Sequence, residues 1–239
     1  MNFIATPNRA FASTTTDAWW ELDAPEQPLE ASPLPASAML AAEVASTAQP
    51  SNAERSEVLV LFERAERAAT TGDWRTAAEL FLTMVEKNPV FGPGYVGLAS
   101  ASFAIGDVTT GAMALEHAIT IYPQNPVLHS QLGVALAHSG HLERAQQAFL
   151  KVLELEPNNI DAIVSLAHLC RATKHFVEAV ELLDQAHRLE PNNPNVVGAI
   201  GTCALDLGDR VSAEASHKRL LALAPDHAET AMLAERLGL

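Results

Sequence analysis

Aromatic residues make up only 5% of this 239-residue chain, and its 15 basic residues are outnumbered by 29 acidic ones. The first shortage argues against a strand-rich fold, because strands favour aromatic and β-branched residues whereas the abundant Ala and Leu enter helices at little cost. The second gives a formal net charge of −14 and argues against a nucleic-acid partner, whose phosphates such a surface repels. Cysteine is almost missing. Cys170 and Cys203 lie far apart, neither sits in a C-x-x-C pair, and neither a disulfide framework nor a zinc site is expected. No apolar run reaches 18 residues, so no membrane insertion is expected, and the opening MNFIATPNRAFAS lacks the basic start and continuous apolar stretch of a secretory signal. The first 50 residues contain no cysteine to carry a lipid. Together these shortages predict a cytoplasmic protein.

What is present divides at about residue 50. Residues 1–50 contain ASTTTDA and APEQPLEASPLPASA, and Pro25, Pro28, Pro33 and Pro35 forbid a long helix there. Such a segment buries too little apolar surface to offset its ordering entropy, which predicts a disordered Ala/Ser/Thr/Pro-rich acidic tail. Within it, DAWWELDAPEQPLE places Trp19 and Trp20 side by side in polar surroundings. An adjacent Trp pair is a strong anchor for a pocket, either on a partner or on its own chain.

From Ser51 onward the pattern becomes helical. Ser51 and Glu54 have capping-box spacing, and Val58, Leu61, Phe62 and Ala65 follow at helical intervals. Prolines then recur at Pro89, Pro123, Pro157, Pro191 and Pro225, always 34 residues apart. A fixed period of that length marks stacked helix-turn-helix units. Twelve residues before each proline stands a small residue, Ala77, Gly111, Ala145, Ala179 or Ala213. About one turn later come Phe81, Leu115, Phe149 and Leu182, with His217 in the fifth copy. Seventeen before lie Gly72, Gly106, Gly140, Lys174 and Gly208, where a turn should join two helices. Paired positions recur further back, among them Leu98/Ala99, Leu132/Gly133 and Leu166/Ala167. Small residues allow close helix approach, the prolines end the second helix, and Asn125-Pro126 and Asn193-Pro194 supply a cap followed by Pro at the first helical position.

This register resembles the tetratricopeptide repeat family, with GDW at Gly72–Trp74 and HSQLGVALAHSGHLERAQQAFLKVLELEP among the most similar stretches. Five copies cover about 58–91, 92–125, 126–159, 160–193 and 194–227, and DHAETAMLAERLGL reads as a capping helix over about 226–239. The resemblance implies an all-α, right-handed α-solenoid spanning 51–239. It further implies a non-catalytic scaffold or adaptor that holds a peptide or partner segment in a groove lined by the first helix of each repeat. On that implication the lining is Phe62, Glu66, Val96, Ser100, Phe103, Ser130, Val134, His138, Val164, His168, Arg171, Thr202 and Leu205. The positions at which one subset of the family grips a chaperone's terminal carboxylate hold Phe62, Glu66, Gly97, Val127 and Gln131, or Ser130, Val134, Ser165, Asn195 and Ala199. None is basic. The asparagine ladder of the O-linked sugar transferases is likewise missing, since the equivalent places read Glu63, Gly97, Gln131, Ser165 and Ala199. Two alternatives share the fold: a cytoplasmic chaperone for bacterial type III secretion substrates, and a substrate-recognition partner of a separately encoded transferase.

No nucleophile motif, phosphate loop or paired-acid arrangement appears, so the chain is not expected to be an enzyme or to need a cofactor. The nine histidines show no convergent ligand spacing and read as surface or groove residues. Cys170 reads as core-facing. Three departures from the repeat carry local expectations. Lys174 at a turn-glycine place costs a few tenths to about 1 kcal/mol if the backbone there is left-handed. Arg210 and His217 at apolar places predict a loosely packed last repeat. Asp226 and Glu229 have capping-box-like spacing, and Glu229, Glu235 and Arg236 are expected on the solvent side of the final helix.

Overall fold

A computed structural model of the protein describes residues 52–239, with side chains from 57 onward. The tail, Trp19, Trp20 and Ser51 lie outside the described residues. Among the described residues there are eleven helices and no strand. They are α1 (Asn52–Thr70), α2 (Trp74–Lys87), α3 (Gly92–Ala104), α4 (Val108–Ile121), α5 (Pro126–His138), α6 (Leu142–Leu155), α7 (Ile160–Ala172), α8 (Phe176–Leu189), α9 (Pro194–Asp206), α10 (Arg210–Leu223) and α11 (Ala228–Leu237).

The turn inside each hairpin is made by one backbone device. Gly72, Gly106, Gly140 and Gly208 have φ between 74° and 81°, and Lys174 takes the same left-handed conformation at φ 63°. Lys174 is the one non-glycine residue with positive φ among the described residues. At the four turn glycines an added Cβ would meet nothing within 4 Å, so the preference there is conformational and not steric. The next residue caps the second helix in three repeats. The Asp73, Asp107 and Asp209 carboxylates accept from the backbone N–H of Thr76, Thr110 and Ser212. His141 and His175 hold that place in the other two and make no side-chain cap. Hairpins are joined by a Pro after the second helix and, from the second junction onward, by Asn caps. Val127 N–H donates to Asn125 Oδ1 at 3.0 Å, Ala162 N–H to Asn159 Oδ1 at 2.9 Å, and Asn195 N–H to Asn193 Oδ1 at 3.0 Å.

The described residues form two compact units, 52–135 and 136–239. In the first, α1 packs on α2, α2 on α3 and α3 on α4. Its core is aromatic. The Phe62 ring meets Phe81 and Phe91 edge-on, with centroids 6.1 and 6.4 Å apart. Phe81 lies so close to α3 that a Cβ on Gly97 would stand 2.3 Å from its ring, and Gly111 makes the same room for Phe103. The sequence of α3, GPGYVGLASASFA, is uncharged on every side, and eleven of its thirteen residues are buried. A helix apolar all round belongs inside.

In the second unit α6 packs on α7, α7 on α8 and α8 on α9, while α11 covers α9 and α10. Ala145, Ala179 and Ala213 are fully buried, as their small size predicts. Three expectations are corrected here. Leu183, not Leu182, fills the apolar place of the fourth copy, because one residue turns a helix by about 100° and moves Leu182 to a partly buried flank. The last repeat is not loose. His217 is buried, and Arg210 lies along the surface, donating from Nη2 to the Leu237 carbonyl at 2.6 Å and from Nε to Glu214 at 2.8 Å. That carbonyl is one of the four that a helix C-terminus leaves without an internal partner. Finally, Glu229 does not face solvent: it is 2% exposed, on a helix whose N-cap is His227 rather than Asp226. Room for it comes from Gly198, where a Cβ would stand 1.3 Å from the Glu229 Oε2. Glu235 and Arg236 are exposed, as expected.

Candidate functional site

From the second hairpin onward, formal charge is scarcer on the first helix than on the second. The first helices α3, α5, α7 and α9 carry only Asp161, Arg171 and Asp206, whereas the second helices α2, α6, α8 and α10 carry four formal charges each and α4 carries Glu116; α1, with seven, is the exception among first helices. The first helices from α3 onward therefore present faces almost without formal charge.

The residues expected to line a groove divide by burial. In the first unit Phe62, Val96 and Phe103 belong to the core, and Ser100 is buried with its Oγ donating to the Val96 carbonyl at 3.1 Å. Glu66, Ser130 and Val134 are partly exposed. Burial raises the Glu66 pKa above the ordinary carboxyl value. In the second unit Val164, His168, Arg171 and Thr202 are buried, the Thr202 hydroxyl donating to the Gly198 and Ala199 carbonyls at 3.2 and 3.0 Å. His138 and Leu205 are partly exposed. Burial pulls the His138 pKa down to about 4.

Only His168 and Arg171 among these are brought together by a side-chain hydrogen bond, and they open a buried polar chain. Arg171 Nη1 donates to His168 Nδ1 at 3.0 Å. A guanidinium cannot accept, so Nδ1 is the unprotonated nitrogen of the neutral ring and Nε2 bears the proton. Nε2 points toward Glu229 Oε1 at 3.9 Å. Arg171 also donates from Nε and Nη2 to Asp206 Oδ2 at 2.8 and 2.7 Å, and Arg236 donates to Asp206 Oδ1 at 2.8 Å. Burial, followed by the neighbouring Arg171 charge, holds the His168 pKa well below its ordinary value. Sequence reasoning missed Asp206, Glu229 and Arg236. A signal existed for the first: Arg171 and Asp206 are charges in otherwise apolar first helices, one repeat plus one position apart.

Burial raises both thiol pKa values, with Glu178 adding to the effect at Cys170, so neither cysteine is an activated nucleophile. Among the described residues no group of three or more His, Cys, Asp or Glu is arranged to hold a metal ion. None of the described helices is long and apolar enough to cross a membrane.

Comparison with known proteins now bears on this geometry. Sequence models described as "Tetratricopeptide repeat" match residues 126–159 and 171–237. The chain is a tetratricopeptide repeat protein. Among curated relatives, Protein FlbA of Caulobacter vibrioides is 26% identical over 163 residues, covering 68% of this chain and 27% of FlbA. The chain spans about a quarter or less of the length of the curated relatives it matches. Among solved structures, the tetratricopeptide repeat protein TTC0263 of Thermus thermophilus superposes with a TM-score of 0.58 at 20% identity, covering 76% of this chain and all of that one. YrrB, described as a tetratricopeptide repeat protein with an unusual peptide-binding site, superposes with a TM-score of 0.61 at 14% identity, covering 85% of this chain and all of YrrB. At these identities the structures establish the fold, an all-α tetratricopeptide solenoid. That fold supports a role in protein interaction.

Proposed function

We propose that the protein is a non-catalytic scaffold or adaptor whose first-helix faces hold an uncharged, apolar stretch of a partner protein, as an extended or helical segment. The observation that carries this reading is the segregation of charge. Four first helices of thirteen residues share three charged side chains, and two of those, Arg171 and Asp206, neutralise one another. A face of that kind rewards apolar anchors and gives a charged ligand little to pair with. Glu66, Ser130 and Val134 in the first unit and His138 and Leu205 in the second are the partly exposed members able to meet a ligand without dismantling the core. The unusual peptide-binding site of YrrB supports peptide binding as a use of this fold.

The test is affinity capture from cell extract with the intact chain and with Ser130→Glu/Val134→Glu and Leu205→Glu variants. Val96→Glu and Val164→Glu are unsuitable, because both valines are at most 1% exposed and a carboxylate there would unfold the unit. Partners held by the intact chain and lost by either variant support the reading. The same partners held undiminished by both variants sink it.

A further inference from the structure

The second unit has another concavity, made by none of the residues expected to line the groove. It is a cleft of about 690 Å³ between α6 and α8, floored by α7. Leu166 and Leu169 form its floor together with Cys170. Leu150 and Leu182 are apolar wall, and Leu150 is 51% exposed, a large amount for a leucine in mid-helix. Glu143, Glu178 and Glu181 stand exposed on the rim. Among the described residues no cation forms an ion pair with any of the three.

The spacing makes this a groove along the helices. Glu143, Gln146 and Leu150 sit at i, i+3 and i+7 of α6, and Glu178, Glu181 and Gln185 repeat that spacing on α8. Seven residues of helix rise about 10 Å, so the walls run parallel for two turns. An apolar floor of that length between acidic rims fits two turns of an amphipathic helix with Leu-like anchors inward and Lys or Arg on its flanks. Charge decides among occupants. The chain's own residues 1–51 carry one base, Arg9, against six acids, and a second copy brings a net charge of −14, so both are repelled by the rim.

We propose that this cleft is a second docking site, specific for a basic amphipathic helical segment of a partner protein. It is independent of the first-helix faces, so a scaffold built this way holds two segments of opposite character at once, one uncharged and one cationic. The glutamates steer and orient the segment, and Leu150 and Leu182, lining leucines with open surface, retain it.

The test uses fluorescence anisotropy on the full chain with three labelled synthetic 12-residue peptides. The first has Leu at i, i+3, i+4 and i+7 with Lys elsewhere, the second replaces every Lys by Glu, and the third scrambles the first so that its leucines share no face. The first is expected to bind, more weakly as salt rises, and the other two at least tenfold more weakly. Glu178→Lys/Glu181→Lys is expected to weaken the first peptide at least tenfold and Leu150→Asp about fivefold, with Ser130→Glu/Val134→Glu unchanged. All these positions are exposed or partly exposed, and circular dichroism checks that each variant keeps its helix content. Equal weakening by Glu79→Lys/Glu86→Lys on α2 would mean attraction to net charge alone and overturn the proposal. So would equal binding of the scrambled peptide, or loss on Ser130→Glu/Val134→Glu in place of the cleft variants. None of these outcomes touches the first-helix proposal, which the capture experiment decides separately.

Discussion

The two units use the same 34-residue repeat and fill their interiors with different chemistry. In the first, Phe62, Phe81, Phe91 and Phe103 close the core, and no buried residue carries a full charge. In the second, Arg171, His168 and Glu229 are buried beside Asp206, tied by bonds that need particular protonation states. The repeat period therefore specifies a backbone and leaves the solvent-free interior to be settled locally. A dry aromatic interior is indifferent to pH, and a charged one is not.

The largest expected effect tests the aromatic half. Phe81→Ala removes the ring that covers Gly97 and should destabilise the chain by about 3–5 kcal/mol in urea melts. The charged half has a different signature. Arg171→Met takes from Asp206 its buried partner and should cost about 2–4 kcal/mol, while adding Asp206→Leu should return much of that loss, because a half-paired carboxylate in the interior is worse than an apolar pair. A cost unchanged in the double variant would mean that the guanidinium acts by packing alone.

The third expectation sharpens the contrast through pH. The His138 pKa is depressed in the fold, so the unfolded chain binds a proton first as pH drops below its ordinary 6.5. Stability that is intact above pH 6.5 is thus lost down to about pH 4, with about 2 kcal/mol gone by pH 5. His168 acts in the same direction. Urea melts at pH 7 and pH 5 should differ in the intact chain and differ less in His138→Leu, where the contribution of His168 remains. Unchanged pH sensitivity in that variant would remove His138 as the cause.

Smaller effects come from the turns. His141→Asp should supply the cap that Asp73, Asp107 and Asp209 supply elsewhere and raise stability by about 0.5–1 kcal/mol. Lys174→Gly should gain about as much, by relieving a side chain held at φ 63°. Thermal melts read both, and no gain from Lys174→Gly would mean that its side chain repays the strain through contacts of its own.

The backbone was legible in the sequence because turns, caps and close approaches each demand a particular small residue at a fixed place. Gly72, Ala77 and Pro89 announce a hairpin whatever surrounds them. Depth was less legible. Val96 and Val164 read as groove lining because the family places first helices there, yet both sit in the core. Glu229 read as solvent-facing because carboxylates usually are, and nothing near it in sequence reveals the vacancy at Gly198, 31 positions away. The Leu182 reading failed by one residue, enough to rotate a helix face. The acidic-rimmed cleft was invisible as well, since its parts are spread over three helices and become neighbours only when α6, α7 and α8 pack.

The turn-and-cap dipeptides also set a schedule for folding. The Arg171–Asp206 hydrogen bond spans 35 positions, about one repeat, and each hairpin likewise closes and meets its neighbour over short loops that cost little entropy. Local topology of this kind lets ordering begin at any repeat and spread outward. The approach of Glu229 to His168 reaches much farther and needs α7, α9 and α11 in place beforehand. Docking of the last helix is therefore the late event of the second unit, the step that a ribosome completes only after the rest of that unit has emerged.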